Sequence, residues 1–415
     1  MSSRTEEKRR QRERDRFIKR LLGKPARANS GASDQHSDAQ LNMALTLAQR
    51  QLGAGQTAEC DATCRQILAS NSNQPEAIHM LGMACHMEDA HKQAVDLLKR
   101  ATALSPENPE YHANLGSVYG QSGQFSKAVS SFRKSLKLYP DSIEVIYNLG
   151  LAHVQLGEFE LAVEAYETAI AARPDLAVLH QNCGGALQML ARYDAAEACY
   201  RKAIALEPGS ADGYFNLGTV LGRMRRFADS LEAFEQALEH YPDHPGALKG
   251  IAETRLKTGD NAGAGQILRR ATTIMPEDRK LRYDLAHALA LSGESREAVE
   301  ICENTAAMAP PTIENLMTLG VAYICDGRHE DAVNICDTVL AAQPGYTSAL
   351  AFKSTALSEL GRVEDSRYLL DLDSLVQCFE LTPPPEFRDL DAFNEALCRH
   401  IRNHPTLHYS PTNRP

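Results

Sequence analysis

The sequence predicts an all-α solenoid of stacked antiparallel helix pairs, and three observations support that prediction. The chain has 415 residues, whereas a single hydrophobic core stops growing near about 250–300 residues. The protein must therefore contain several domains or a repeated unit. One proline recurs every 34 residues without slippage. Within each interval, apolar residues recur at helical spacing in two stretches, which is typical of a helix pair.

Eight prolines set the register of the repeat. The chain has only 19 prolines in 415 residues, so this recurrence is not accidental. Proline lacks an amide hydrogen and clashes with the preceding helical turn, so each one is expected to end a helix. The eight are Pro106, Pro140, Pro174, Pro208, Pro242, Pro276, Pro310 and Pro344. Counting back from them places repeat starts at Pro75, Pro109, Ile143, Ala177, Ala211, Pro245, Arg279 and Ile313.

Two further positions of the repeat keep a constant size. Position 8 is small, and position 24 is bulky or carries sulfur. Small residues let two helices approach closely, and a large side chain then fills the space between them. Position 8 holds Gly82, Gly116, Gly150, Gly184, Gly218, Ala252, Ala286 and Gly320. Position 24 holds Leu98, Phe132, Tyr166, Tyr200, Phe234, Leu268, Cys302 and Cys336. The turn inside each pair is often marked by glycine, as at Gly123, Gly157, Gly259, Gly293 and Gly327.

With these positions, the sequence resembles the tetratricopeptide repeat (TPR) family. The resemblance covers residues 41–370 and implies a right-handed superhelical solenoid of about ten repeats. The first and last repeats, near 41 and 347, are degenerate, as capping repeats usually are. We therefore divide the chain into residues 1–40 (basic arm and flexible linker), 41–370 (repeat array) and 371–415 (short helical extension).

Position 6 of the repeat carries the candidate binding site. In TPR proteins the first helices line the concave groove, and position 6 faces into it. Four consecutive repeats hold asparagine there, which resembles the asparagine ladder of the O-linked N-acetylglucosamine transferase superhelix. An asparagine amide has one acceptor and two donors, so it can pair with a peptide backbone; the alternative is that each one bonds to a neighbouring helix. The predicted groove residues are Asn114, Asn148, Asn182, Asn216 and Asp284, with Gly250 interrupting the row.

Charge is distributed unevenly along the chain. Residues 1–27 hold eleven Lys/Arg against four Asp/Glu, a net charge of +7. The whole chain has a net charge of −10, so the residues after 27 carry about −17. Residues 5–22 are compatible with a basic helix with Phe17, Ile18, Leu21 and Leu22 along one side. We interpret it as a solvated arm or one that folds back onto the acidic body. Contact with an anionic membrane surface or nucleic acid is the alternative.

The sequence predicts neither a catalytic centre nor a metal or cofactor site. No C-x-x-C pair occurs among the ten cysteines, whose nearest neighbours are Cys60 and Cys64, so we interpret them as small core residues. H-x-D/E pairs occur at His36/Asp38, His86/Glu88 and His329/Asp331, but no strand-rich segment is predicted that could carry an iron site. The opening residues lack the features of a secretory signal, and we expect a cytoplasmic protein.

The segment after the array has a second resemblance. Residues 375–407, LVQCFELTPPPEFRDLDAFNEALCRHIRNHPTL, resemble the segment that leads into a 2-oxoglutarate/Fe(II) oxygenase domain in bacterial TPR–oxygenase proteins. This implies an oxygenase core that lies beyond Pro415 or has been lost. His400, His404 and His408 have helical metal-ligand spacing, but Pro405 interrupts that helix.

The predicted function is that of a non-catalytic scaffold. It would hold an extended protein or peptide segment in the groove, with no nucleic-acid partner and no cofactor. The alternative is a substrate-recruiting arm of an oxygenase or a glycosyltransferase whose catalytic part lies outside this chain.

Overall fold

The structure is a computed structural model that describes residues 16–22 and 35–370, and in these ranges every regular element is an α-helix. Helix α1 covers 16–22. The other helices are α2 Gln35–Gly53, α3 Thr57–Ser70, α4 Pro75–Met87, α5 His91–Leu104, α6 Pro109–Gln121, α7 Phe125–Leu138, α8 Ile143–Gln155, α9 Phe159–Ala172, α10 Ala177–Met189, α11 Tyr193–Leu206, α12 Ala211–Arg223, α13 Phe227–His240, α14 Pro245–Thr258, α15 Asn261–Ile274, α16 Arg279–Ser292, α17 Ser295–Met308, α18 Ile313–Cys325, α19 His329–Ala342, α20 Thr347–Glu359 and α21 Val363–Leu370.

Helices α2–α21 form ten antiparallel pairs, so the predicted fold class, an all-α solenoid of stacked helix pairs, is confirmed. Helix α2 begins at Gln35, ahead of the predicted start of the array at residue 41. Each later first helix begins at the residue where the proline register placed a repeat start. The pairs belong to two compact bodies, Met1–Met275 with α1–α15 and Pro276–Pro415 with α16–α21.

Positions 8 and 24 contact each other as the size pattern predicts in the five repeats that begin at Pro75, Pro109, Ile143, Ala177 and Ala211, whereas Gly320 lies against Ile335 rather than Cys336. A Cβ atom added to Gly116 would lie 2.6 Å from the ring of Phe132, and one added to Gly150 would lie 2.6 Å from the ring of Tyr166. Both rings are buried. Real Cβ atoms do not approach carbon atoms this closely. Any residue larger than glycine at these two positions would therefore displace the aromatic ring.

The turn inside each pair needs a residue in the left-handed region at position 15. Glycine supplies this conformation in most repeats, for example Gly157 with φ of 74°. Three repeats place another residue there: Asp89, Ala191 and Arg225, with φ of 57°, 55° and 62°. The left-handed conformation brings a Cβ atom close to the carbonyl oxygen that follows it, which costs about 1–2 kcal/mol in any residue but glycine.

We therefore expect Ala191→Gly to stabilise the protein by about 1 kcal/mol, the strain relieved less the extra entropy of glycine in the unfolded chain. Gly157→Ala should destabilise it by about 1 kcal/mol for the same reason, although nothing lies within 4 Å of the added Cβ. Urea unfolding followed by circular dichroism measures both variants. Effects of the same sign for the two substitutions would contradict a conformational cause.

Helix α1 shows that part of the basic arm packs against the N-terminal body. Ile18 and Leu21 are buried, with exposed fractions of 2% and 3%. The guanidinium of Arg100 on α5 donates to the carbonyl oxygen of Leu21, and also to Oδ1 of Asn73 at 2.8 Å. The guanidinium of Arg65 lies 5.6 Å from the ring centre of Phe17. The apolar side of α1 therefore faces the protein, while residues 1–15 lie outside the described ranges.

Most cysteines in the described part of the chain are core residues. Cys60, Cys64, Cys85, Cys183, Cys302 and Cys336 are buried, Cys199 is half-buried and Cys325 is exposed. Burial raises the pKa of the Cys302 thiol to about 12, which keeps it protonated. The core interpretation is thus confirmed for six of these eight thiols. Among the helices of the described ranges, none is both long and apolar enough to cross a bilayer.

Candidate functional site

The first helices of the repeats lie on the inner side of the curve in the N-terminal body. Consecutive first helices contact one another, α4 with α6, α6 with α8, α10 with α12 and α12 with α14. Among the described residues, consecutive second helices, such as α5 and α7, do not approach each other as closely as these first helices do. In a curved stack the elements that approach each other more closely are on the inside. Position 6 therefore belongs to the helices that form the inner face.

Asn114, the first asparagine of the predicted row, is engaged by the preceding repeat. Its Nδ2 atom donates to Nε2 of His79 on α4 at 2.8 Å. The His79 ring stacks on Tyr111 with 4.5 Å between ring centres and is only 7% exposed. Desolvation lowers the pKa of His79 to about 4, so its imidazole is neutral near pH 7 and can accept this hydrogen bond.

Asn182 repeats that arrangement two repeats later. Its Nδ2 atom donates to the hydroxyl of Tyr147 on α8 at 3.2 Å and to the carbonyl oxygen of Val178 at 2.9 Å. Tyr147 precedes Asn182 by 35 residues, the same separation as that between His79 and Asn114. In these two cases, position 5 of one repeat therefore accepts a hydrogen bond from position 6 of the next.

Asn148 and Asn216 lack such a contact. Both side chains are half-buried, and neither makes a hydrogen bond with the part of the chain that the structure describes. The residue 35 positions before Asn148 is Ala113, whose methyl group cannot accept a hydrogen bond. The corresponding residue before Asn216 is Gln181, which does not bond to it.

The row is thus divided between the two interpretations that the sequence left open. Asn114 and Asn182 bond to a neighbouring helix, as the structural interpretation requires, while the amide groups of Asn148 and Asn216 make no hydrogen bond within the described ranges. The identity of position 5 in the preceding repeat, His79 before Asn114 and Tyr147 before Asn182, was the signal that sequence reasoning missed. Asp284 lies half-buried on α16, which belongs to the C-terminal body, whereas the four asparagines belong to the N-terminal body.

The histidine pairs and other motifs define no further site in the described ranges. No group of three or more His, Cys, Asp or Glu residues there could hold a metal ion. His86 has His91 as its neighbour, with 3.3 Å between their Nδ1 atoms. The side chain of His36, the oxygenase-like segment and His400, His404 and His408 lie outside what the structure describes.

The 34-residue register, the helix pairs and the contacts between positions 8 and 24 define the class of the protein, which is a TPR protein. A TPR family model matches residues 82–123. The model of the cilia and flagella-associated protein 70 C-terminal domain matches residues 107–315, just over half of the chain. The chain belongs to the family of that C-terminal domain. No curated protein sequence matches it.

Solved structures of TPR proteins are similar to this chain. The C-terminal part of a TPR repeat-containing protein from Cytophaga hutchinsonii is 15% identical with a TM-score of 0.50, over 58% of this chain and 99% of that one. YrrB, a TPR protein with an unusual peptide-binding site, is 20% identical with a TM-score of 0.41, over 45% and 96%. MamA from Desulfovibrio magneticus RS-1 is 22% identical with a TM-score of 0.40, over 41% and 96%. The first of these similarities supports the fold.

Proposed function

We propose that this protein is a non-catalytic scaffold that holds an extended segment of a protein partner along the inner face of its N-terminal body. The observation that carries the proposal is the asparagine row on α6, α8, α10 and α12, in which Asn148 and Asn216 keep unused amide groups. A half-buried amide without a partner has lost part of its hydration and gains from a hydrogen bond that a ligand supplies. An extended peptide presents backbone N–H and C=O groups along its length and satisfies such a row.

The two engaged asparagines take a different part in this proposal. Asn114 and Asn182 use Nδ2 within the protein, which leaves Oδ1 of each as an acceptor. Asn148 and Asn216 offer both a donor and an acceptor. The inner face therefore presents acceptors at four successive repeats and fully available donors at every second one. This pattern recognises backbone groups and is tolerant of the partner's side chains.

The proposal is tested with peptides selected from a random display library on the immobilised full-length chain. We expect Asn148→Ala with Asn216→Ala to weaken their binding by about tenfold, because each lost hydrogen bond contributes about 0.5–1.5 kcal/mol. The melting temperature should hardly change, since neither side chain bonds within the described protein. Methylation of backbone amides in a selected peptide should weaken binding more than alanine substitution of its side chains.

The matched control is Asn114→Ala with Asn182→Ala, on the same face of the same body. This pair removes hydrogen bonds between repeats, so we expect it to lower the melting temperature as well as affinity. If Asn148→Ala with Asn216→Ala unfolds early and keeps the affinity of the original protein, the row is structural and the proposal is wrong.

A further inference from the structure

A cavity of about 260 Å³ opens between α12 and α14, beside the point where Gly250 interrupts the asparagine row. Two aromatic rings contribute to its lining: Phe234 is buried, and Phe215 is half-buried with 6.0 Å between the two ring centres. Pockets for small-molecule ligands usually have about 300–1,000 Å³. This cavity is smaller than that range and is suited to a single side chain.

Glycines let neighbouring side chains, above all two aromatic rings, lie close to the backbone along the cavity. Four of them line it: Gly218, Gly222, Gly246 and Gly250. A Cβ atom at Gly250 would clash with the ring of Phe234, and one at Gly246 would lie 2.7 Å from the ring of Phe215. The close approach of backbone and rings therefore excludes larger residues at these two positions. The result is an aromatic wall that no side chain of the row covers.

The residues that surround the cavity carry more positive than negative charge. Arg223, Lys249 and Lys257 line it together with one carboxylate, Glu253. Glu253 accepts from the Nζ atom of Lys257 at 2.6 Å, and Lys249 has a partner as well, whereas the exposed Arg223 makes no ion pair with the described residues. The protein after residue 27 carries about −17, so the Arg223 guanidinium is a positively charged group on an acidic chain. A negatively charged group is therefore the complementary neighbour for anything that enters the cavity.

We propose that this pocket binds one apolar side chain, of leucine to phenylalanine size, from a partner segment that has an acidic residue beside it. The inference rests on the proposed function, since the segment must lie along the same inner face. The aromatic wall stabilises the apolar side chain by removing it from water, and the Arg223 guanidinium stabilises the adjacent carboxylate. The pocket thereby adds a side-chain preference to a face that otherwise recognises backbone.

The probe is a fluorescein-labelled peptide of sequence Ser-Gly-Asp-Phe-Asp-Gly-Ser-Gly, titrated into the full-length protein and followed by fluorescence anisotropy. We expect saturable binding that weakens about tenfold when the phenylalanine is replaced by alanine. Replacement of both aspartates by lysine should weaken it by a similar factor, and added salt should weaken the original peptide further. Absence of saturable binding by the original peptide would overturn the proposal.

Two protein variants locate the site. Thr219→Leu fills the cavity and loses only a hydrogen bond to the Phe215 carbonyl within its own helix; its control is Thr168→Leu, whose hydroxyl makes the same kind of bond on the exposed face of α9. Arg223→Glu reverses one charge at the cavity, and exposed Arg133→Glu on α7 is its control. We expect the two cavity variants to weaken peptide binding about fivefold or more and the controls to leave it unchanged.

The outcomes separate this proposal from the proposed function. If Thr219→Leu and Arg223→Glu bind the probe as their controls do, the pocket inference is wrong. The peptides selected from the display library can still depend on Asn148 and Asn216 in that case, so the scaffold proposal survives. If the cavity variants weaken the probe while the Asn148→Ala/Asn216→Ala pair affects neither ligand, the pocket stands and the role of the asparagine row fails.

Discussion

Phe132→Ala is expected to destabilise the repeat formed by α6 and α7 by about 3–5 kcal/mol, because it leaves a cavity in a close-packed core. Phe132 is 2% exposed and lies against the backbone of α6 at Gly116. Stability in a repeat array is a sum of local terms. Hydrogen exchange of the α6 and α7 amides is therefore the measurement, since it reports the free energy of local opening. Exchange in α2 and α3, far along the stack, serves as an internal reference.

The strongest test of this contact is a double-mutant cycle. Gly116→Ala alone should destabilise the protein by about 1–3 kcal/mol, because its Cβ atom overpacks the phenylalanine ring. In the Phe132→Ala background the same change should become stabilising, since the ring is gone and alanine favours a helix by about 1 kcal/mol over glycine. The two substitutions would then show a coupling free energy of opposite sign to either single effect.

Gly120→Ala on the same helix is the control for this cycle. Nothing lies within 4 Å of the Cβ atom that the substitution adds. Gly120→Ala should therefore stabilise α6 by about 1 kcal/mol in either background. Additive effects of Gly116→Ala and Phe132→Ala would show that the two positions do not pack against each other as the structure describes.

The helix pairs were predictable because their determinants recur along the chain. A proline that ends a helix and a glycine that opens a turn both act locally, so spacing alone locates them. The size pattern at positions 8 and 24 needed only the assumption that two helices of one repeat face each other. The strained turns at Asp89, Ala191 and Arg225 follow the same register. The sequence did not predict them because these three residue types are not specific to a left-handed conformation.

The candidate site was only partly predictable because its chemistry depends on neighbours from other repeats. The sequence placed the asparagines in one row, but whether each amide is engaged depends on position 5 of the repeat before it. His79 and Tyr147 accept a hydrogen bond there, whereas Ala113 cannot. Helix α1 docks through Arg100, 79 residues away from Leu21 in the chain, and no local pattern contains that information.

The pairing of Asn114 with His79 has a consequence for stability against acid. The pKa of His79 falls from its ordinary value of 6.5 to about 4 in the folded protein, because burial removes the imidazole from water. The unfolded state therefore binds the proton more readily, and stability that is present above pH 6.5 is lost as the pH falls toward 4. Between about pH 7 and pH 5 the free energy of unfolding of this region should fall by about 2 kcal/mol.

His79→Gln isolates this contribution from the other titrating groups. A glutamine side chain keeps an acceptor for Nδ2 of Asn114, yet it does not ionise in this range. Urea unfolding at about pH 7 and about pH 5 should show a smaller loss of stability in His79→Gln than in the original protein, by about 2 kcal/mol. An equal loss in both proteins would mean that His79 is protonated in the fold. Near pH 5 its Nε2 could then no longer accept from Asn114, and at that pH Asn114 would be available to a partner as Asn148 and Asn216 are.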